Sequence, residues 1–232
     1  MSRSKKHRRK QSGRRLEDDF TRRAKREGYP ARSVFKLEEI DEKLRLFRRG
    51  QRVLDLGASP GSWTLYAANK VGREGKVIGL DLNPHTAALP PNATIEVMDV
   101  REVSPLERFG ERSFEVVMSD MAPSTMGHRA SDMARSYELF MVAMEIALTV
   151  LVDGGAFVGK IFQGGEFQEA HAAMKRHFKT VRVIRPKATR EVSYEVFLCG
   201  LGKRADEPKD DSKSDEGAAE KTTTPSSSSE RP

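Results

Sequence analysis

The sequence holds a single cysteine, Cys199, which excludes an intrachain disulfide and any cysteine-rich zinc site and is in keeping with a reducing compartment. No apolar run approaches the roughly 20 residues needed to span a bilayer. The first residues are too basic, and too poor in apolar side chains, for a secretory signal. A soluble, cytoplasmic protein with no membrane partner is expected. The G-x-G-x-x-G fingerprint of a dinucleotide pyrophosphate loop is missing. The five histidines, His7, His85, His128, His171 and His177, form no metal-ligand spacing, so no metal is expected. Residues 1–28 and 204–232 have too few apolar side chains to offset the entropy of ordering them. They read as a basic disordered arm and a disordered acidic, Ser/Thr-rich tail, leaving residues 29–203 as one domain of ordinary size.

Charge is unevenly spread. The formal net charge is +7, yet residues 1–36 carry 14 Lys/Arg against 4 Asp/Glu, and residues 204–232 carry 5 against 8. A near-neutral body behind a basic arm points to a polyanionic partner, because Lys and Arg neutralise phosphates and release counterions. RNA, DNA and an anionic surface all meet that description. No obligate protein partner is implied, and a monomer is expected.

Short β-branched runs alternate with helical patterns along the body, the signature of a parallel sheet with crossover helices. Strands are expected at Arg52–Leu56, Lys76–Leu80, Thr94–Met98, Phe114–Ser119, Ala156–Phe162, Val181–Ile184 and Tyr194–Leu198. Helices are expected at Ser33–Phe47, Gly61–Val71, Ala130–Leu151 and Glu166–His177, the third with an apolar stripe at Leu139, Val142, Ala143, Ile146, Ala147 and Val150.

The sharpest local signal is VLDLGASPGSW, Val53 to Trp63, where a buried strand runs into a turn and then a helix. Gly57 and Gly61 permit tight turning and close backbone approach, and the helix start offers free N–H groups to a ligand. Asp55 at the strand end and Pro60 within the turn fit an S-adenosylmethionine site. Two more acids end the next strands. Asp81 is placed to accept from ribose hydroxyls, and Asp99 to accept from the exocyclic amine of adenine. The fourth strand leads into Asp120-Met121-Ala122-Pro123, again at the carboxyl edge where open α/β sheets bind ligands. Pyrimidine carbon-5 methylation needs a thiolate, and Cys199 lies in a late apolar strand away from this edge. Amino-group methylation uses paired prolines and an aromatic that are missing here. An oxygen acceptor remains.

The chain resembles the FtsJ (RlmE) family of ribosomal RNA 2′-O-ribose methyltransferases over roughly residues 30–202. The matching segments, in order, are ARSVFKL at 31–37, VLDLGASPGSW at 53–63, VVMSDMAP at 116–123, GGAFVGKIFQG at 154–164 and SYEVFL at 193–198. The resemblance implies a Lys-Asp-Lys-Glu site at Lys36, Asp120, Lys160 and Glu195, with cofactor contacts at Gly61, Trp63, Asp81, Asp99 and Asp120. Glu191 sits in an Arg-Glu-Val triplet and competes for the fourth place; Glu195 is preferred because it leads the apolar strand Val196–Leu198. The fold expected is α/β, a Rossmann-like methyltransferase with a seven-stranded, mostly parallel sheet, helices on both faces and an antiparallel final strand. The substrate implied is a uridine of 23S ribosomal RNA in the large ribosomal subunit, with transfer RNA and cap ribose as alternatives.

Two of these residues stand out without the resemblance. Lys160 interrupts the apolar strand FVGKIF, where a buried lysine needs a partner or a purpose. Lys36 flanks the stripe formed by Leu37, Ile40, Leu44 and Phe47 and can reach inward. Methyl transfer to a hydroxyl needs a base or an electrostatic trap for the developing alkoxide, which paired amines and carboxylates can supply. The rival readings are a nicotinamide-dependent oxidoreductase, disfavoured by the missing glycine fingerprint, and a noncatalytic RNA-binding assembly factor.

Overall fold

The computed structural model describes residues 19–124, 127–190 and 193–205. Its elements are a helical stretch α1 over residues 19–26, then α2 (Val34–Leu44), β1 (Arg52–Leu56), α3 (Ser62–Val71), β2 (Lys76–Asp81) and β3 (Ala93–Val97). They continue with a short 3-10 turn at Val100–Glu102, α4 (Pro105–Phe109), β4 (Phe114–Ser119), α5 (Arg129–Val150), β5 (Leu151–Phe162), α6 (Phe167–His177), β6 (Phe178–Ile184) and β7 (Glu195–Lys203).

The seven strands form one sheet in the order β3-β2-β1-β4-β5-β7-β6. β7 is inserted antiparallel between β5 and β6, and the other strands run parallel to one another. The strand order reverses between β1 and β4, which opens a crevice at the carboxyl ends of those parallel strands. Helices cover both faces, so the central strands are apolar on both sides. Leu54, Leu56, Val117, Phe157, Ile161 and Leu198 pack with α5 and α6. Val53, Val116, Met118, Val158, Phe197 and Cys199 pack with α2 and α3.

The structure departs most from the sequence expectation in four places. Residues 19–26, expected within a disordered arm, are helical and docked: Ala24 is buried, the Phe20 ring lies 5.6 Å from Phe35, and Arg23 pairs with Glu38 at 3.0 Å. Phe20 and Ala24, one helical turn apart, supply the apolar contact that the charged composition hides. Residues 1–18 of that arm, and the tail from residue 206, lie outside the described residues. β5 begins at Leu151 rather than Ala156, because its pairing with β4 slips between Phe114 and Val116 and the intervening residues bulge. β7 runs on to Lys203 through Gly200, where a side chain would collide with Phe178 and Met174, so the glycine serves helix packing rather than strand termination. α4 is an additional short helix with Pro105 in its first turn.

Candidate functional site

A cleft of about 510 Å³ opens at the crevice between the ends of β1, β2 and β4. Gly57, Asp81, Asp99 and Asp120 line it, together with Ser59 and Arg101. Each comes from the residues just beyond a strand or from its last position, which is why four chain segments converge there.

The glycine turn holds the near wall. Gly57 has φ +81° and a side chain there would meet Met121 Cγ at 2.6 Å and Met121 N at 3.1 Å, so only glycine lets the two strand ends approach. Ser59 N donates to Asp81 Oδ2 at 3.0 Å, and Asn83 N donates to Asp81 Oδ1 at 2.7 Å. Asp81 thereby fastens the turn to the end of β2. Asp99 caps the 3-10 turn through Arg101 N at 3.0 Å, and its carboxylate is gripped by the Arg101 guanidinium, Nη2 to Oδ2 at 2.5 Å. The Arg101 hydrogen bonds hold the Asp99 carboxyl below the usual carboxylate range.

Beside the cleft stands a group of four charged side chains on the α2/α3 face of the sheet. Lys160 Nζ lies 3.0 Å from Asp120 Oδ1 and also donates to the Asp120 carbonyl. The approach to Oδ1 is an ion-pair contact out of hydrogen-bond alignment, so that oxygen keeps no aligned donor. Lys36 Nζ lies 2.6 Å from Glu195 Oε1, which also receives the Thr189 hydroxyl at 3.5 Å. Because β7 runs opposite to β5, its first residue falls at the edge where the parallel strands end, and Glu195 joins the site from that direction. Glu191 lies outside the described residues.

Asp55 is completely buried on the same face. Thr64 Oγ1 donates to its Oδ2 at 2.6 Å, and its Oδ1 has no hydrogen-bond partner. Burial, reinforced by the charges of Asp120 and Asp81 and opposed by the Thr64 bond, pushes this carboxyl up to about 7.

The structure brings Lys36, Asp120, Lys160 and Glu195 together and sets Gly57, Asp81 and Asp99 on the cleft wall. It does not bring Trp63 or Gly61 there. Trp63 is a core residue: its Nε1 donates to Ser33 O at 2.9 Å and its ring lies 5.6 Å from Phe197. With Ser62 Oγ accepting from Ala31 N at 2.8 Å, it ties the start of α3 to the chain entering α2. Lys36 Nζ sits 5.9 Å from that same Phe197 ring. Gly61, φ +105°, packs against Ala87, where a side chain would stand 2.6 Å from the Ala87 Cβ.

Sequence reasoning passed over Arg101, Arg135, Leu139 and Val142 as cleft residues. The last two were expected in the apolar stripe of α5. The buried stripe instead centres on Phe140, Ala143 and Ala147, turning Leu139 and Val142 toward the cleft.

The family model described as "FtsJ-like methyltransferase" matches residues 29–203. The ribosomal RNA large subunit methyltransferase E of Sorangium cellulosum is 52% identical over 188 residues, covering 81% of this chain and 89% of its own length. The protein of the same name from Bdellovibrio bacteriovorus is 46% identical, covering 81% of this chain and 97% of its own. A crystal structure of a ribosomal RNA methyltransferase from Plasmodium falciparum shares the fold, with a TM-score of 0.66 at 22% identity over 75% of this chain and 98% of that one.

Proposed function

The chain belongs to the FtsJ-like methyltransferase family, and from that premise we propose that it is a ribosomal RNA 2′-O-ribose methyltransferase using S-adenosylmethionine, with a uridine of 23S RNA in the large subunit as target. The observation that carries this reading is the position of Asp120. It lines the cleft and at the same time pairs with Lys160 at 3.0 Å, joining a ligand cavity to a cationic group beside a second Lys–Glu pair.

The cleft fits the methyl donor by the chemistry of its walls. Asp81, Asp99 and Asp120 make it acidic, and the buried Oδ1 of Asp120 lacks an aligned donor, which suits a cationic ligand. S-adenosylmethionine supplies an electrophilic methyl group on a sulfonium centre. Asp81 would hold the ribose hydroxyls and Asp99 the adenine amine, while Gly57 and the turn up to Gly61 keep the backbone close and Asp55 braces the turn from below.

At the acceptor side, a ribose hydroxyl is a weak nucleophile until its proton leaves. Lys160 Nζ stands nearest the 2′-oxygen and stabilises the negative charge that grows there as the hydroxyl proton passes to solvent water. Asp120 orients Lys160 through the side-chain and carbonyl contacts. Lys36 and Glu195, largely withdrawn from water, position the substrate ribose and keep the charge of the group balanced.

The deciding experiment incubates the protein with labelled S-adenosylmethionine and large ribosomal subunits from cells lacking the corresponding gene, then maps 2′-O-methyl marks. A single uridine mark that the Lys160→Ala variant fails to produce is expected, with RNA affinity changed by no more than a few-fold. Incorporation into base or protein, or an active Lys160→Ala variant, would refute the assignment.

A further inference from the structure

One side chain at the rim of the site has an exposure that folding does not explain. Tyr194 immediately precedes Glu195 and leaves 47% of its surface in solvent, the only aromatic among the large exposed apolar residues described. Its position is nonetheless fixed. The Tyr194 carbonyl accepts from Gln163 N at 2.8 Å, extending the β5–β7 ladder one residue past the edge of the sheet. On its other side, the Ser193 carbonyl accepts from Arg185 Nη2 at 2.7 Å, and Ser193 Oγ accepts from Glu195 N at 3.2 Å.

One ring face is already covered. The Arg129 guanidinium, from the first residue of α5, lies 4.1 Å from the ring centroid. A solvent-exposed cation–π pair contributes little to stability. What it does do is cover part of a flat ring that still leaves 47% of its residue's surface in solvent. Single-stranded RNA is recognised by such surfaces, because every base has a π-face and aromatic or guanidinium planes stack on it.

Resting on the function proposed above, we propose that Tyr194, backed by Arg129, is a stacking platform for an unpaired base of the RNA substrate, at or beside the methylated nucleotide. The platform adjoins the Lys36–Glu195 pair through the backbone, so a base seated on it sets where its neighbouring ribose falls relative to Lys160. It supplies contact to a base, which the lysines of the site, as charge donors to ribose and phosphate, do not.

The test compares binding of the full chain to an oligouridylate of about 12 nucleotides and to an abasic ribose-phosphate strand of the same length. Tyr194→Ala should weaken oligouridylate binding about tenfold while leaving the abasic strand within about twofold, and Tyr194→Phe should resemble the wild type on both. Thermal melting of each variant verifies folding. Equal losses on the two strands, or no loss on oligouridylate, would overturn the platform. Failure of the wild type to methylate ribosomal RNA would overturn the function instead, since the binding comparison requires no turnover.

Discussion

Lys160 and Glu195 project from the same face of the sheet without being cross-strand partners: in the antiparallel β5–β7 ladder Lys160 stands opposite Phe197 and Glu195 opposite Phe162. Such diagonal neighbours are roughly 7–8 Å apart at the backbone, close enough for a lysine and a glutamate to serve one substrate without neutralising each other. Each instead takes its own partner, Asp120 at 3.0 Å and Lys36 at 2.6 Å. Single-turnover rates should reflect that division. Lys160→Met is expected to lower the chemical step by about 10²-fold to 10³-fold, the range found when one donor to a developing oxyanion is removed. Lys36→Met and Glu195→Gln should each cost less, and the double variant little more than either single one, because the two act as a pair. Strictly additive losses for Lys36 and Glu195 would show that they work separately.

The Asp99 carboxylate is occupied by Arg101, yet both line the cleft. An exposed ion pair of this kind is a weak competitor. Calorimetric titration with S-adenosylmethionine should therefore show Arg101→Ala within about threefold of the wild type. Asp99→Ala, which removes the acceptor itself, should weaken binding about tenfold. A large gain in affinity for Arg101→Ala would mean that the arginine acts as a latch over the adenine site.

Much of this arrangement was legible in the sequence because it is local. A strand ending in an acid announces a sheet edge, as at Asp81, Asp99 and Asp120, and a lysine inside FVGKIF is conspicuous against its apolar neighbours. What could not be read was set by residues distant in the chain. A tryptophan after a glycine turn can face ligand or core, and here Phe197 and the Ser33 carbonyl draw Trp63 inward. Leu139 and Val142 have the spacing of a core stripe, but Phe140, 5.6 Å from Phe157, takes a buried place on the same helix while they line the cleft. The length of β7 depends on Gly200 admitting Phe178 and Met174, a contact that no strand pattern reveals.

Two glycines of similar backbone conformation separate strain from close approach. Gly28 has φ +78° and open space where a Cβ would stand, with nothing within 4 Å, whereas Gly57 at φ +81° faces Met121. Gly28→Ala should cost only the left-handed penalty, about 1 kcal/mol. Gly57→Ala should cost more, about 2–3 kcal/mol, and also displace Met121 at the cleft wall. Urea midpoints compare the stabilities, and donor affinity should fall for Gly57→Ala alone. Equal effects from both would mean that the contact with Met121 is readily relieved.

Asp55 gives the fold a pH dependence of definite sign. Its carboxyl titrates near 7 in the native protein because it is buried and faces Asp120 and Asp81, against about 4 in an unfolded chain. Below pH about 4 both states hold the proton, and the native state has its full benefit. As pH rises from there toward 7 the unfolded chain releases its proton while the native one retains it, so this group's contribution to stability declines and is lost once the native carboxyl ionises. Asp55→Asn keeps an acceptor for Thr64 but removes the titration. Urea unfolding at pH 5 and pH 7.5 should therefore show the wild type losing more stability across the interval than the variant does. If both lose the same amount, the raised titration of Asp55 is not what ties stability to pH, and the slope must be sought in other groups.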